Sequence, residues 1–516
     1  MVTSFEAMAY QPSNIKQYFS DSTVFLTGGT GLLGKLILQK LLRSCDGINK
    51  IYILIREKKG KSVQKRYEEL LESMIFDRLK ELQPQFREKI GLIVGDCLLP
   101  NLNLKTEDRH KLIREVNCVL HCAATVRFDE KLRTATYINV RATRDLLRLC
   151  KQMKDLTSFV HVSTAYSNCI YQEIKETFYE PPVTGINLLQ LVDTFDDDFL
   201  ESITPGLIGD RPNTYAFTKA VAENVVKEEG KGLPIAIVRP SIVISTCKEP
   251  IPGWMDTVYG AVGATVGVGL GLVRTMHHKA YKIADLVPAD YVINCAIAAA
   301  WDNGTKKLDN NKAVEERSDE NNIEIYNYVS SVQNPITWND FMKYTEKHGL
   351  HIPTALMIWY PFLISNSYYI FHVICVFFLH TVPAYIVDLM AYCLGKQPRL
   401  VKGYQKINKF LDVLAYFSTN QWKFHDDNTQ ELWKKLNDED KYIFQFDIGK
   451  MNWDNYCFTY ARGGRLYILK DPLDTVPYGK RKYFMLKVIH YTLVGFLSLG
   501  LYRLAMLCWK TLVGSI

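Results

Sequence analysis

Thr27-Gly28-Gly29-Thr30-Gly31-Leu32-Leu33-Gly34 is the stretch around which the rest of the chain is organised. It follows a short apolar run at residues 22–26, which is typical of a strand, and it leads into an amphipathic run at residues 35–42, which is typical of a helix. A strand, a glycine-rich turn and a helix in this order predict the opening of a dinucleotide-binding βαβ unit.

The glycines of this turn have separate predicted roles. Gly28 allows the tight turn, Gly31 lets the backbone approach a pyrophosphate, and Gly34 lets helix and strand pack closely. The helix N-terminus offers unpaired N–H groups and the positive end of its dipole. We therefore predict cofactor contacts from Thr27, Gly28, Thr30, Gly31, Leu32, Leu33 and Gly34. An ordinary turn is the alternative, because a glycine pattern alone is a weak signal.

Composition narrows the class of protein. A chain of 516 residues is long for one core, so we expect two or more domains. The net charge of +7 includes no basic block of the kind that binds nucleic acid. The 12 cysteines form no Cys-x-x-Cys pair, which signals neither a zinc site nor a disulfide framework. Residues 1–21 hold no apolar core of signal-peptide length, so we expect the catalytic part to face the cytosol.

The second predicted strand, at residues 50–55, ends at a basic residue. A site specific for NAD usually has a carboxylate here to hold the ribose 2′-hydroxyl. This chain has Arg56 and Lys58 instead, with two more lysines close by and Glu57 as the opposing charge. These cations suit the 2′-phosphate of NADP and favour NADPH, and a solvated charged loop is the alternative.

The third and fourth predicted strands supply further candidate positions. Asp96 is placed to meet the adenine edge, and the small residues Ala123 and Ala124 leave room for a cofactor to cross the strand end. Ligands of open parallel sheets bind at such carboxyl ends. Asn139, early in the next helical stretch, either is structural or ties together the backbone of the active site.

The fifth predicted strand, at residues 158–162, delivers Ser163 and Thr164 at its end. A predicted helix farther along places Tyr215 and Lys219 four residues apart and therefore on one face. Such a pair is common by chance. Behind a glycine-rich turn and a strand that ends in Ser-Thr, however, it predicts catalytic side chains.

Together these motifs resemble those of the extended short-chain dehydrogenases/reductases. The resemblance is carried by the glycine-rich turn, Asp96, Ala123-Ala124, Val162-Ser163-Thr164, the Tyr215/Lys219 pair and Val238-Arg239-Pro240-Ser241. Residues 121–130 and 162–166 narrow it to the alcohol-forming fatty acyl-CoA reductases. It continues through the glycine-rich run at 260–271, residues 284–290, His380-x-x-Pro383-Ala384, residues 416–422 and Trp453-x-x-Tyr456, which include stretches similar to the family's male sterility domain.

The resemblance implies an α/β fold, with a Rossmann-type doubly wound parallel sheet, a smaller and mainly helical C-terminal domain, and membrane-associated apolar segments. It also implies a reaction in which NADPH reduces a long-chain fatty acyl-CoA. The first hydride would give a hemithioacetal that expels CoA as an aldehyde forms, and a second NADPH would reduce the aldehyde to a fatty alcohol.

Site residues follow from the same resemblance. Tyr215 would stabilise and protonate the developing oxyanion, and Lys219 would lower the pKa of Tyr215 and hold the nicotinamide ribose. Thr164 would hydrogen-bond the same carbonyl oxygen, with Ser163 as its rival by register. Further cofactor contacts are implied at Pro240, Ser241 and Ile242. The chemistry needs no metal and no cysteine nucleophile, so we interpret Cys169 as a core residue.

The run at residues 260–271 has glycine at five positions. A membrane-dimerising helix is one interpretation, although the run is short and glycine-rich for a span. Our hypothesis is that its backbone forms a wall for an acyl chain, with Arg274 or Lys279 near the CoA phosphates.

The second half of the chain is predicted to contact a membrane. A polar surface loop at residues 302–322 precedes a last strand at residues 323–329. Residues 348–387 contain no Asp, Glu, Lys or Arg, which suits one span or a hairpin, with interfacial insertion or a buried helical pair as alternatives. Residues 485–514 are apolar but interrupted by Arg503, which favours an amphipathic or short tail anchor.

We predict four consecutive parts: residues 1–349 as the NADPH-binding reductase domain with its substrate-binding part, 350–395 as an apolar membrane-associated segment, 396–480 as a helical C-terminal domain, and 481–516 as a membrane anchor. The partners expected are a long-chain fatty acyl-CoA and an intracellular membrane, first the endoplasmic reticulum, with peroxisome or lipid droplet as alternatives. The helical domain would cover an acyl tunnel or pair subunits into a homo-oligomer, and the sequence does not choose.

Other functions stay open at this point. The chain could be another extended reductase or epimerase that acts on a sterol or a nucleotide sugar, although the C-terminal motifs do not suit that interpretation. It could stop at the aldehyde after one hydride. It could also be a catalytically silent lipid-binding scaffold, which the intact Tyr215/Lys219 pair argues against.

Overall fold

The computed structural model describes residues 11–310 and 323–513. Its strands are β1 (Thr23–Thr27), β2 (Lys50–Ile55), β3 (Ile90–Val94), β4 (Cys118–His121), β5 (Ser158–Val162), β6 (Glu173–Ile174), β7 (Ile235–Pro240), β8 (Ile242–Ile244), β9 (Thr275–His277), β10 (Leu286–Pro288), β11 (Glu324–Tyr328), β12 (Ile364–Asn366) and β13 (Lys423–Phe424).

The α-helices connect and cover these strands. They are α1 (Asn14–Phe19), α2 (Leu32–Ser44), α3 (Val63–Leu71), α4 (Asp77–Leu82), α5 (Thr106–Glu115), α6 (Leu132–Thr136), α7 (Ala142–Cys150), α8 (Gly185–Thr194), α9 (Asp197–Ile208), α10 (Thr214–Glu229), α11 (Gly260–Gly269), α12 (Ala289–Asn310), α13 (Trp338–His351), α14 (Tyr369–Val376), α15 (Val382–Cys393), α16 (Leu400–Thr419), α17 (Asp427–Lys435), α18 (Asp438–Ile443), α19 (Trp453–Gly463) and α20 (Val476–Val513). Single π-helical turns lie at Tyr137–Arg141, Phe377–Thr381 and Gly464–Ile468.

Seven strands form one sheet in the order β11-β7-β5-β4-β1-β2-β3, and every neighbouring pair is parallel. The strands read as continuous apolar runs because both faces of a parallel sheet are covered by helices. The chain winds from β1 to β3 on one side and from β4 to β11 on the other, so the strand order reverses between β1 and β4. The doubly wound Rossmann-type sheet predicted from the sequence is confirmed, and its switch point is where such sheets bind ligands.

The helices bury one apolar stripe each against this sheet. On α7 the stripe includes Leu146 and Leu149, and on α10 it includes Phe217 and Val221, all fully buried in one cluster with Phe159 of β5. Because α7 and α10 also pack against each other, the positions of side chains on α10 are fixed relative to the ends of β4 and β5.

One predicted loop is helical. The loop predicted at residues 302–322 is wrong in its first part, because α12 continues to Asn310. Asp302, which is 4% exposed, pairs with Lys306 at 2.8 Å and with Lys435 at 3.0 Å, so its charge supports a packed helix instead of a solvated loop. Residues 311–322 of the prediction lie outside the described residues.

The chain divides into two compact units that interleave along the sequence. Unit 1 comprises Met1–Pro252, Ile283–Ile336 and Gln421–Asn452, and it contains the seven-stranded sheet. Unit 2 comprises Gly253–Lys282, Thr337–Asn420 and Trp453–Ile516. The consecutive four-part division stays a prediction about the chain's functional segments.

Unit 2 contains two helices that are long and apolar enough to cross a membrane, at Tyr369–Cys393 and Leu473–Thr511. The first is one continuous helix, formed by α14, a π-helical turn and α15, and it begins well inside the predicted apolar segment. Large apolar side chains are exposed along both helices, such as Phe378 at 63% and Phe496 at 70%.

The glycine-rich run of unit 2 forms α11, and Arg274 follows it. The Arg274 guanidinium donates from Nε to the Gly271 carbonyl at 3.0 Å and from Nη1 to the Leu379 carbonyl at 2.8 Å, and it lies over the Trp359 ring. These contacts give Arg274 a structural role inside unit 2. A contact between Arg274 and CoA phosphates stays a prediction.

Candidate active site

The glycine-rich turn is shaped by close backbone contacts. Gly28 has a φ of +73°, and a Cβ there would lie 2.7 Å from a backbone nitrogen of the loop after β4. A Cβ on Gly34 would lie 2.2 Å from the Gly28 carbonyl oxygen. Gly31 is the N-cap residue of α2 and provides no side-chain cap, so the first-turn N–H groups, including those of Leu32 and Leu33, have no acceptor within the helix. This cradle fits a phosphate.

The loop after β4 is fixed beside this turn. Thr27 Oγ1 accepts a hydrogen bond from Ala123 N at 3.3 Å and lies 2.7 Å from His121 Nδ1. His121 Nε2 lies 3.0 Å from Thr143 Oγ1, and burial lowers the pKa of His121 to about 3. The neutral imidazole therefore positions the loop that carries Ala123 and Ala124 at the switch point of the sheet.

Three cations lie together at the end of β2. Arg56 pairs with Asp96 at 3.1 Å, while Arg66 on α3 donates to the Arg56 carbonyl and, at 3.1 Å, to Thr30 Oγ1. Burial and the positive charges of Arg56 and Arg66 lower the pKa of Lys58. Asp96 pairs with Arg56, and the Glu69 carboxylate near Arg66 is paired with Lys61, so the three cations keep an excess of positive charge that would attract an anion.

Tyr215 lies at the end of β5, where its phenol group interacts with the Thr164 hydroxyl. Thr164 Oγ1 also accepts from Tyr166 N at 3.3 Å and lies 3.5 Å from the Pro240 carbonyl oxygen. The Phe128 ring packs 5.9 Å from the Tyr215 ring. The structure thus brings together Tyr215, Thr164 and the end of β7, as the sequence predicts.

Lys219 lies one helical turn after Tyr215 and is 1% exposed. Its Nζ donates to the Val162 carbonyl at 2.8 Å and lies 3.3 Å from His161 Nε2, and burial lowers the pKa of Lys219 to about 8. The predicted lowering of the Tyr215 pKa by Lys219 is wrong for this structure. Burial raises the pKa of Tyr215 to about 12, and the hydrogen bond with Thr164 opposes that rise.

Ser163 belongs to a different set of contacts. Its Oγ donates to Glu223 Oε1 at 2.5 Å, and Ser167 Oγ donates to the same oxygen at 3.1 Å. Glu223 is paired with the fully buried Arg239 at 2.7 Å. The sequence left Ser163 and Thr164 as alternatives. In the structure, the hydroxyl beside Tyr215 is that of Thr164.

The two hydroxyls should respond differently to substitution. We expect Thr164→Val to lower kcat by about 100-fold, the typical cost of losing one oxyanion donor. We expect Ser163→Ala to leave kcat nearly unchanged but to destabilise the fold by about 1–3 kcal/mol, because it removes a buried partner of Glu223. Turnover at saturating substrates and thermal unfolding, measured on both variants, would contradict this assignment if the two effects were exchanged.

Asn139 connects two parts of the site. Its Oδ1 accepts from Thr125 N at 3.0 Å, and its Nδ2 donates to Thr218 Oγ1 at 2.9 Å. Thr125 lies in the loop after β4, and Thr218 lies on α10 between Tyr215 and Lys219. Of the two roles that the sequence leaves open, this geometry favours the tie between backbone segments of the site.

The buried polar atoms beside the site that have no hydrogen-bond partner within the described chain include Asn213 Nδ2 and Ser241 Oγ. Asn213 is 5% exposed and caps α10 through its Oδ1, and Ser241 is 6% exposed and follows Pro240. The next residue, Ile242, donates its N–H to the Asp285 carbonyl at 3.0 Å. Since an unpaired buried group costs about 1–3 kcal/mol, a bound cofactor or substrate that pairs with these atoms would be stabilised.

Sequence reasoning missed Arg66 and the free amide of Asn213. Arg66 lies ten residues after Arg56 and returns to it only because α3 folds back over the end of β2. Asn213 carried an N-cap signal alone, which predicts a helix start and no ligand contact. Within the described residues, no group of three His, Cys, Asp or Glu side chains is placed to hold a metal ion.

Three features define a reductase of the extended short-chain dehydrogenase/reductase class. They are the reversed strand order, the glycine-rich turn at the switch point, and the Tyr/Lys pair on the helix beside β5. Comparison with known families agrees. A male sterility protein family with an NAD-binding domain matches residues 26–296, and a second male sterility protein domain matches residues 379–471.

Curated relatives then identify the family. The chain is 41% identical to fatty acyl-CoA reductase wat of Drosophila melanogaster over 93% of this chain and 90% of that protein. It is 38% identical to human fatty acyl-CoA reductase 1 over 97% of this chain and 93% of that protein. The chain therefore belongs to the fatty acyl-CoA reductase family, which confirms the resemblance drawn from its motifs.

Solved structures agree on the fold. The reductase domain of a non-ribosomal peptide synthetase from Mycobacterium tuberculosis aligns with a TM-score of 0.55 and 15% identity, over 89% of this chain and 96% of that one. The terminal reductase domain of the myxalamid biosynthetic pathway aligns with a TM-score of 0.52 and 18% identity, over 88% and 93% of the two chains. The match of residues 26–296 to an NAD-binding family shows that this domain binds a nicotinamide cofactor.

Proposed function

We propose that this chain reduces long-chain fatty acyl-CoA thioesters to fatty alcohols and uses NADPH as the reductant. The observation that carries the proposal is the pairing of Tyr215 with the Thr164 hydroxyl at the carboxyl end of the sheet, beside the glycine-rich turn. Membership of the fatty acyl-CoA reductase family supports the substrate class.

The preference for NADPH over NADH is supported by the cations at the end of β2. A 2′-phosphate would gain charge-assisted hydrogen bonds from Arg56, Lys58 and Arg66, whereas NADH offers two hydroxyls there. Asp96 already accepts from Arg56, so its carboxylate is committed to that ion pair. The first-turn N–H groups of α2 would hold the pyrophosphate, and Ser241 and Lys219 would hold the nicotinamide end.

Arg66→Ala tests this preference. We expect the KM for NADPH to rise by about 10-fold to 100-fold, as for the loss of a hydrogen bond to a charged group, and the KM for NADH to change little. Steady-state rates with both cofactors give the comparison. Arg114→Ala, which removes an exposed arginine paired with Glu115, is the control and should leave both constants unchanged. An equal rise for NADH would contradict the phosphate contact.

The chain's own groups would act on the substrate carbonyl. When bound, NADPH supplies a hydride to the carbonyl carbon. Tyr215, which its raised pKa keeps protonated at neutral pH, donates a hydrogen bond and then its proton to the carbonyl oxygen, and Thr164 donates a second hydrogen bond. As the hemithioacetal collapses, its hydroxyl proton returns to the Tyr215 phenolate, the C–S bond breaks, and CoA leaves as the thiolate. The same pair, with Tyr215 protonated again, then acts on the aldehyde carbonyl, to which a second NADPH supplies the hydride.

Product stoichiometry tests the proposed reaction. Detergent-solubilised protein should consume two NADPH for each fatty alcohol formed from acyl-CoA, with products resolved by mass spectrometry. One NADPH for each aldehyde would keep the site but end the reaction after the first hydride. An absence of oxidation with every acyl-CoA, in protein shown to bind NADPH, would overturn the proposal and favour a sterol or nucleotide-sugar substrate.

We further propose that unit 2 attaches the enzyme to an intracellular membrane, with the endoplasmic reticulum as the predicted compartment. Helix Tyr369–Cys393 buries a polar stripe, in which His372 and His380 are 3% and 0% exposed. His372 Nδ1 lies 3.3 Å from Thr275 Oγ1, and His380 Nε2 accepts from Arg274 N at 3.0 Å. Since these contacts hold the helix against unit 2, its exposed apolar face would enter one leaflet, and the C-terminal helix would be the anchor that crosses.

A chain that ends at Tyr491 tests this arrangement. We expect the shortened protein to stay with membranes at high salt and to be released by alkaline carbonate, because an interfacial helix is held by partial burial alone. The full-length protein should resist carbonate. If the shortened chain resisted carbonate as well, helix Tyr369–Cys393 would be a spanning segment.

A further inference from the structure

Unit 1 contains a cavity of about 590 Å³ whose wall shares no residue with the candidate active site. It lies beside the C-terminal end of α2, whereas the glycine-rich turn lies at the N-terminal end of the same helix. Side chains from five separate segments line the cavity, including Lys16, Arg43, Lys248, Glu249, Asn294 and Lys441. A volume of this size suits a small-molecule ligand, since such pockets measure about 300–1,000 Å³.

The two carboxylates in the wall are already engaged by the protein. Glu249 accepts from Lys40, Arg43 and Asn294. Asp290 accepts from three successive backbone N–H groups, those of residues 247–249, at 2.7–3.0 Å. Neither carboxylate needs a ligand cation, so the cavity is not a metal or amine site.

Two lysines in the wall, Lys248 and Lys441, have no carboxylate partner within the described chain. Lys248 is exposed at the rim and Lys441 is half-buried. Neither lysine is among the described residues that form ion pairs or side-chain hydrogen bonds through an ammonium group. Arg43 is paired with Glu249 and Lys16 with Asp46, so Lys248 and Lys441 carry the excess of positive charge in the cavity, which favours an anionic ligand.

Two unpaired polar atoms refine the ligand's chemistry. Asn294 is 1% exposed, and its Nδ2 donates to Glu249 Oε1 at 3.1 Å and to the Gln445 carbonyl at 2.9 Å. Its Oδ1 has no partner within the described chain, and neither does Nε of Arg43. A buried acceptor and an unpaired donor from the same cavity wall would both be satisfied by a ligand that carries a hydroxyl group and an anionic oxygen.

We propose that this cavity binds a phosphate ester of a polyol. The phosphate oxygens would accept from Arg43, Lys248 and Lys441, and a hydroxyl of the polyol would donate to Asn294 Oδ1. Such a group occurs both as a free sugar phosphate and as the headgroup of an inositol lipid. The site does not depend on the proposed reaction, because its residues and those of the active site are distinct.

Binding to full-length, detergent-solubilised protein tests the site with three probes: myo-inositol 1-phosphate, dihexanoyl phosphatidylinositol and uncharged myo-inositol. We expect at least one phosphorylated probe to bind and the uncharged probe to bind much more weakly. The double variant Lys248→Ala/Lys441→Ala should raise the Kd of the bound probe by at least about 10-fold, as two charged donors are lost. The matched variant Lys105→Ala/Lys434→Ala removes two exposed lysines outside the cavity and should bind as the wild type does.

The outcomes separate the two sources and the failure of the proposal. Binding of myo-inositol 1-phosphate would indicate a soluble ligand, and binding of the lipid alone would indicate a headgroup. Three results would each overturn the site. They are the absence of binding by both phosphorylated probes, equal binding of uncharged myo-inositol, and an unchanged Kd in Lys248→Ala/Lys441→Ala. Acyl-CoA reduction, measured on the same samples, is an independent readout of the active site.

Discussion

Tyr215→Phe is expected to lower kcat for acyl-CoA reduction by about 100-fold to 10,000-fold, the range typical of a lost general acid. The substitution removes the only proton that the Tyr215 side chain can give to the substrate oxygen and keeps the ring that packs on Phe128. Because the ring stays, the KM for NADPH and the unfolding temperature should change little. Stopped-flow or steady-state oxidation of NADPH with hexadecanoyl-CoA measures the effect.

Tyr281→Phe is the matched control, since the Tyr281 side chain is 66% exposed and lies outside the site. It should retain full turnover. A Tyr215→Phe enzyme that still turned over within a few-fold of the wild type would remove Tyr215 from the mechanism and would leave Thr164 as the remaining hydroxyl donor at the end of β5.

Arg239→Met is expected to destabilise the fold by about 3–5 kcal/mol, because it leaves the buried Glu223 carboxylate without its cation. Arg239 is fully buried and donates to the carbonyls of Lys175 and Thr177 as well. The loss would therefore detach the segment after β6 from the sheet. Thermal unfolding with a probe of secondary structure, recorded at one protein concentration, gives the measurement.

The double variant Glu223→Gln/Arg239→Met should be more stable than Arg239→Met alone, since removing both charges avoids an unpaired one. Lys61→Met, which breaks the half-exposed pair with Glu69, should cost no more than about 1 kcal/mol. A cost for Arg239→Met as small as that for Lys61→Met would show that the Glu223–Arg239 pair contributes little to stability.

The sequence by itself determined the sheet and the main parts of the site. Buried parallel strands read as apolar runs, the turn at Gly28–Gly34 requires glycine for backbone contact, and four-residue spacing places Tyr215 and Lys219 on one face of α10. These signals are local, because each depends on residues within one or two turns of chain.

The tertiary structure alone decided which side chains meet. Thr164 instead of Ser163 lies beside Tyr215, because Ser163 binds Glu223, which is 60 residues farther along the chain. Arg66 reaches Arg56 through the packing of α3, and burial sets the pKa of Tyr215 above its usual value instead of below it. The two interleaved units likewise depend on contacts between distant segments. No local pattern records such contacts, since burial and pairing across the chain exist only once it has folded.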